Sequence, residues 1–201
     1  MTFQKGQNPH RPSKGSSIKI EPIRNKTAIA TIKQLLSDKP RDLCLFTMGI
    51  NTGWRANELL LIRVGQVRDI EAGGALELKQ SKNDKYRTVT LNQTVVKSVQ
   101  AFLERAGNEL ADSDYLFHSQ RGAVLTVPSV TRLVKRWCAA VRLKGNYGSH
   151  TLRKTWGYWQ YQRGTPLPLL VEAFGHATQQ QTLAYLCIQP KDIEDVYDME
   201  L

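Results

Sequence analysis

At 201 residues and 22.8 kDa the chain is long enough for one domain with a full core and too short for two of ordinary size plus a linker. Its 41% hydrophobic and 23% charged residues suit a globular protein. No apolar run approaches the ~18 residues of a bilayer span, and no apolar stretch follows the basic amino terminus, so a membrane role and a secretory signal are unsupported and a cytoplasmic location is expected. The net charge of +10 favours a polyanionic partner, nucleic acid first. The excess is not confined to the tails: residues 1–26 carry six Lys or Arg against one Glu, residues 186–201 carry Lys191 against five acids, and the stretch between is itself basic.

In chain order, residues 1–24 are rich in Pro, Gly, Ser, Lys and Arg without periodicity, the composition of a flexible or loosely docked basic arm. Folded structure is expected from about Asn25 to Ile188. Ile29, Ile32, Leu35 and Leu36 fall at helical spacing, and RDLCLFTMGIN continues as a second apolar helix that breaks at Thr52-Gly53. WRANELLLI predicts a third helix. GQVRDI, ALELKQS and YRTVTL have strand character, and the last two flank the polar turn Lys82-Asn83-Asp84-Lys85 as a β-hairpin. Helices are then predicted over 93–106, 128–143, 149–163, 167–174 and 179–188. The acidic residues 189–201 form a final segment with a possible helix over 190–199. The fold class is mainly α with a small antiparallel β-sheet.

Three cysteines, Cys44, Cys138 and Cys187, lie far apart without a C-x-x-C pair, so they read as buried thiols rather than a disulfide framework or thiolate metal site. His10, His118, His150 and His176 lack the spacing of helical metal motifs, and no glycine-rich phosphate loop is present. No metal site and no cofactor are expected.

Arg55 follows the Thr52-Gly53 break in the first turn of an apolar helix. Its cation adds to the positive end of the helix dipole, an arrangement suited to an anion; a surface arginine paired with Glu58 one turn on explains it equally well. His150 and Arg153 share one face of a helix for which Ser149 is a plausible N-cap, where an imidazole beside a guanidinium can hold a phosphate and move a proton, or simply make a solvated helix end. At about 100° per residue, Tyr185 lies opposite Leu183, Leu186 and Cys187 and so off the apolar stripe, compatible with a reactive or an interface tyrosine. Trp54, Trp156 and Trp159 read as core rather than base-stacking residues.

The order is more specific than any member: T-G-x-R at Thr52–Arg55, Lys82 in the hairpin turn, H-x-L-R at His150–Arg153, Gly175-His176, and Tyr185 nine residues on. From Asn25 to Ile188 the chain resembles the catalytic domain of the tyrosine recombinases, the phage integrase family. The resemblance implies that fold, and roles for Arg55 and Arg153 as phosphate-binding arginines, Lys82 as the hairpin lysine that protonates the leaving oxygen, His150 and His176 as active-site histidines, and Tyr185 as the nucleophile. Lys85 competes with Lys82, and Lys85 and Arg87 otherwise become DNA-backbone contacts. The implied activity is site-specific cleavage and rejoining of double-stranded DNA through a 3′-phosphotyrosine without metal or ATP. Partners would be DNA, further copies of the chain as a dimer or tetramer, and accessory DNA-bending proteins, with the acidic segment docking on a neighbouring protomer. The family usually carries a separate DNA-binding domain ahead of this one, and here only the basic arm is expected. A DNA-binding regulator of the same fold, or relaxation of DNA in the manner of a type IB topoisomerase, are the alternatives.

Overall fold

The computed structural model describes residues 19–79, 86–107, 110–119 and 122–188. The order is α1 (Lys26–Leu35), α2 (Pro40–Thr52), α3 (Ala56–Leu59), a 3-10 turn (Val64–Gln66), β1 (Ala75–Lys79), β2 (Tyr86–Thr90), α4 (Gln93–Ala106), α5 (Val127–Ala140), α6 (Ser149–Gln162), α7 (Leu167–Phe174) and α8 (Gln179–Leu186). A mainly helical domain with a small antiparallel sheet is what the sequence leads one to expect, and among the described residues that sheet has two strands. In the sheet Ala75 faces Thr90 and Lys79 faces Tyr86. No helix of the described residues is long and apolar enough to cross a membrane.

Local chemistry sets most helix starts. Asn25 caps α1 by accepting from the Ala28 amide, Asn92 caps α4 through Val95, Thr126 caps α5 through Ser129, and Thr178 caps α8 through Gln181. Pro40 opens α2, where its missing N–H costs nothing. Packing starts slightly ahead of Asn25: Ile23 is fully buried, its amide donates to Thr155 Oγ1 at 2.8 Å, and its carbonyl accepts from Trp159 Nε1 at 3.0 Å.

Three expectations differ. GQVRDI is not a strand: the amides of Val64 and Gly65 are taken by the carbonyls of Asp114 and Asp112, and the chain turns as a 3-10 segment. WRANELLLI yields only the four residues of α3, because Leu61 and Ile62 tighten to three-residue bonds and Arg63 leaves as a bridge partner of Tyr115. The cap of α6 is Gly148, not Ser149, whose amide instead donates to Thr131 Oγ1.

The main core gathers around α2, which packs on α4 and α6, with Phe46, Met48, Trp54, Leu59, Phe117 and Val134 buried in it. A second, smaller cluster of Leu170, Phe174 and Leu186 joins α7 and α8 to α6. Gly157 makes that junction possible: a Cβ there would collide with the Phe174 ring and the Leu186 side chain. Cys44 and Cys138 are buried, as expected, and Cys187 is half-buried.

Candidate active site

The seam between the two cores is where the polar side chains converge. α2 ends on Gly53 in the left-handed conformation (φ 62°), against Trp156, where any Cβ would strike the indole. That sharp turn sets Arg55 at the N-cap of α3. The Arg55 amide donates to Glu58 Oε2 and its Nη1 to Glu58 Oε1, each at 2.7 Å. The pairing expected of a surface arginine is therefore present, but Glu58 is only 1% exposed and holds the guanidinium at a cleft instead.

Arg153, on the second turn of α6, is buried at 2% exposure. Its Nη1 donates to the Gly53 carbonyl and its Nη2 to the Phe174 carbonyl at 2.9 Å, so it ties the α2 turn to the end of α7. Burial pushes its pKa down to about 10, which still leaves it charged at neutral pH. Arg87 of β2 reaches the same turn, donating to Gly53 O at 3.1 Å and Thr52 O at 3.0 Å. Sequence reasoning offered Arg87 as a DNA-backbone contact; the structure places its guanidinium on these carbonyls, so that Arg87 and Arg153 meet at one helix C-terminus.

α7 ends on left-handed Gly175 (φ 62°), which turns His176 back towards α8. His176 Nδ1 lies 2.9 Å from Thr182 Oγ1, and its ring stacks on Phe174. Tyr185 does not project into open solvent from the far side of α8. It is half-buried, edge-on to Phe174 and His176 with centroids 5.3 and 5.0 Å apart. Its hydroxyl lies 3.5 Å from His150 Nδ1, the outer limit of a hydrogen bond. Burial raises the phenol's pKa, against the opposing pull of Arg153 and Arg55. The His150 residue is exposed at the rim of the site, and its imidazole is shifted the other way, down from its ordinary value, by partial desolvation on its inner side first and then by the cations of Lys154, Arg153 and Arg55.

Arg55, His150, Arg153, His176 and Tyr185 are thus brought together from α3, α6, the α7–α8 turn and α8. Lys82 and Lys85 lie outside the described residues. Beside the cluster, a cleft of about 200 Å³ is lined by Arg55, Asn57, Ser149, His150 and Arg153. It offers two guanidiniums and an imidazole to an anion, next to a phenol whose proton has an acceptor. Among the described residues no three His, Cys, Asp or Glu side chains gather as metal ligands would. Phe174 and Glu58 were not singled out from the sequence as site residues. Phe174 reads as one more apolar residue of a helix, although its carbonyl and ring organise the seam; Glu58 was visible as a possible partner of Arg55, but its burial was not.

Residues 21–191 match the model of the phage integrase family. A protein of Bacillus subtilis named "Probable integrase/recombinase YoeC" is 29% identical over 180 residues, covering 89% of this chain and 95% of its own length. Among solved structures, the XerH site-specific recombinase in a post-cleavage complex with its palindromic difH substrate is 25% identical, with a TM-score of 0.72 over 92% of this chain and 54% of that one. XerA recombinase, 20% identical, superposes with a TM-score of 0.74 over 89% of this chain and 65% of that one, a likeness of fold. The chain therefore spans nearly all of YoeC but little more than half of the XerH chain.

Proposed function

The chain belongs to the phage integrase family, and from that premise we propose that it is a site-specific DNA recombinase working through a covalent phosphotyrosine at Tyr185. The observation that carries this reading is the approach of the Tyr185 hydroxyl to His150 Nδ1 beside the cleft that Arg55 and Arg153 line. A phosphodiester is a poor electrophile because its charge repels nucleophiles and its leaving group is an alkoxide. Arg55 and Arg153 neutralise the nonbridging oxygens as charge builds on phosphorus, and their guanidiniums are held in place by Glu58 and the Gly53 and Phe174 carbonyls.

Tyr185 attacks phosphorus through its hydroxyl oxygen and passes its proton to His150. The bond from phosphorus to the 5′-oxygen breaks, and Lys82 protonates that oxygen. The products are a 3′-phosphotyrosine and a free 5′-hydroxyl. Attack by another strand's 5′-hydroxyl reverses the same steps, so the energy of the bond is conserved and neither metal nor ATP is consumed. His176, held through Nδ1 by Thr182 Oγ1, would present its ring to the phosphate.

For partners, the basic domain between the tails suits double-stranded DNA, and strand exchange requires more than one copy. A second cleft, about 820 Å³, lies between the ends of α1, α2, α4 and α5. It is lined by Leu35, Phe102 and Trp137 together with Lys39, Arg105 and Arg136. That mixture would receive the acidic segment 189–201 of a neighbouring protomer, while residues 1–24 serve as a basic arm on DNA.

The test is covalent capture. A nicked duplex library of randomised sequence, incubated with the protein and run on a denaturing gel, should yield a protein–DNA band that disappears in Tyr185→Phe. A band of equal intensity in that variant removes the reading. On the recovered duplex, a sulfur leaving group at the 5′ position should restore Lys82→Ala more than Arg153→Ala; equal restoration takes the proton-donor role from Lys82.

A further inference from the structure

Lys154 follows Arg153 on α6, and its side chain turns inward: the residue is 7% exposed. Among the described residues no carboxylate lies within ion-pair distance of its ammonium. The contacts recorded for Nζ are the Cys187 sulfur at 3.4 Å, a weak acceptor, and the face of the Tyr185 ring, 4.6 Å from its centroid. Taking an ammonium out of water costs several kcal/mol when no anion compensates it. Among the described residues a neutral phenol and a thiol face this ammonium. The contact with the ring strengthens when charge appears on the tyrosine, because a phenolate spreads negative charge over the ring face that Lys154 covers.

We propose that Lys154 is a positioning residue for the nucleophile, its buried ammonium holding the Tyr185 ring by its face and stabilising the phenolate that forms in attack and departs in rejoining. The remaining groups around Tyr185 fit this division of labour. Arg153 and Arg55 line the cleft and act on the phenol oxygen, His150 lies at the hydroxyl, and His176 is edge-on to the ring. Lys154 faces the ring itself. The same cation, one turn along α6 from His150, helps to keep that imidazole unprotonated and so able to accept the phenol's proton.

The proposal rests on Tyr185 as the nucleophile, and the experiment separates the two. Single-turnover cleavage is measured on the captured duplex for the full chain, Lys154→Arg and Lys154→Met, each also carrying a ring-fluorinated tyrosine at position 185, whose phenol ionises more readily. Lys154→Met, which puts an apolar side chain of similar length at this buried position, should melt close to the parent yet cleave about tenfold more slowly. Lys154→Arg should keep most of the rate. Fluorination should restore most of the loss in Lys154→Met while changing the parent little. Parental cleavage by Lys154→Met, or the same fractional gain from fluorination in both backgrounds, would overturn the proposal. Should Lys154→Met melt early, the same comparison is read in Lys154→Gln, which keeps a donor to the Cys187 sulfur without the charge. A covalent band that survives Tyr185→Phe would remove the nucleophile, and the role of Lys154 with it.

Discussion

Desolvation and neighbouring cations change what the side chains of the site can do alone. The Tyr185 phenol is pushed above its ordinary pKa by its surroundings, so no useful fraction ionises spontaneously at neutral pH, and attack depends on an acceptor. His150 is pushed below its ordinary value, so it stays unprotonated and available down to mildly acidic conditions. The sign follows directly: a base works above its own pKa, and lowering that pKa extends activity towards acid. Single-turnover cleavage should therefore fall on the acid side with an apparent pKa below 6.5, the unperturbed histidine value. In Lys154→Met, which removes one of the cations responsible, that limb should move towards higher pH. A limb at or above the ordinary histidine value in the parent would argue against His150 as the base. At this scale the sequence exposed residue types and spacing but not environment. Tyr185 could be seen to lie off the apolar stripe of α8, yet its packing against Phe174 and His176 depends on α7, which no periodicity within α8 reveals.

Elements place these groups by how they end. α2 and α7 both stop on left-handed glycines, Gly53 and Gly175, and the carbonyls of Gly53 and Phe174 are the ones that Arg153 spans. The T-G-x-R and G-H patterns were legible because such turns impose glycine locally. The strand expected at GQVRDI failed for the opposite reason: the β-branched Val67 and Ile70 were overruled by bonds from Val64 and Gly65 to the distant Asp114 and Asp112. Gly157 belongs with the long-range group, since its bareness is required by Phe174 and Leu186 rather than by α6. Gly157→Ala should lower stability by about 1–3 kcal/mol through overpacking, and slow cleavage more than a surface alanine does, because it pushes α7 and α8 away from Arg153. Thermal melting alongside single-turnover cleavage checks this; an undisturbed melting temperature would mean that the seam is looser than described.

Across the whole molecule the charge is unevenly distributed. The domain that carries the site is basic, whereas residues 186–201 carry five acids against Lys191. The proposed docking of this acidic end on a neighbouring copy uses a cleft lined by Lys39, Arg105, Arg136 and Trp137, none of which lines the cleft beside Tyr185. Truncation after Ile188 should consequently weaken assembly of several protomers on DNA, seen by native gel shift, more than it slows cleavage by one protomer. Equal loss of both would place the segment in the chemistry instead. The large cleft could not be read from the chain's pattern, because its lining is brought together from α1, α2, α4 and α5.

The most direct test of the account is the position of the covalent bond. Trypsin should release residues 164–191 as one peptide, in which Tyr185 is the sole tyrosine. After capture on DNA and nuclease digestion, mass spectrometry should find the residual nucleotide on that peptide, attached to Tyr185 through phosphate. A nucleotide on any other peptide, or none on this one in a sample that shows the covalent band, would contradict the account.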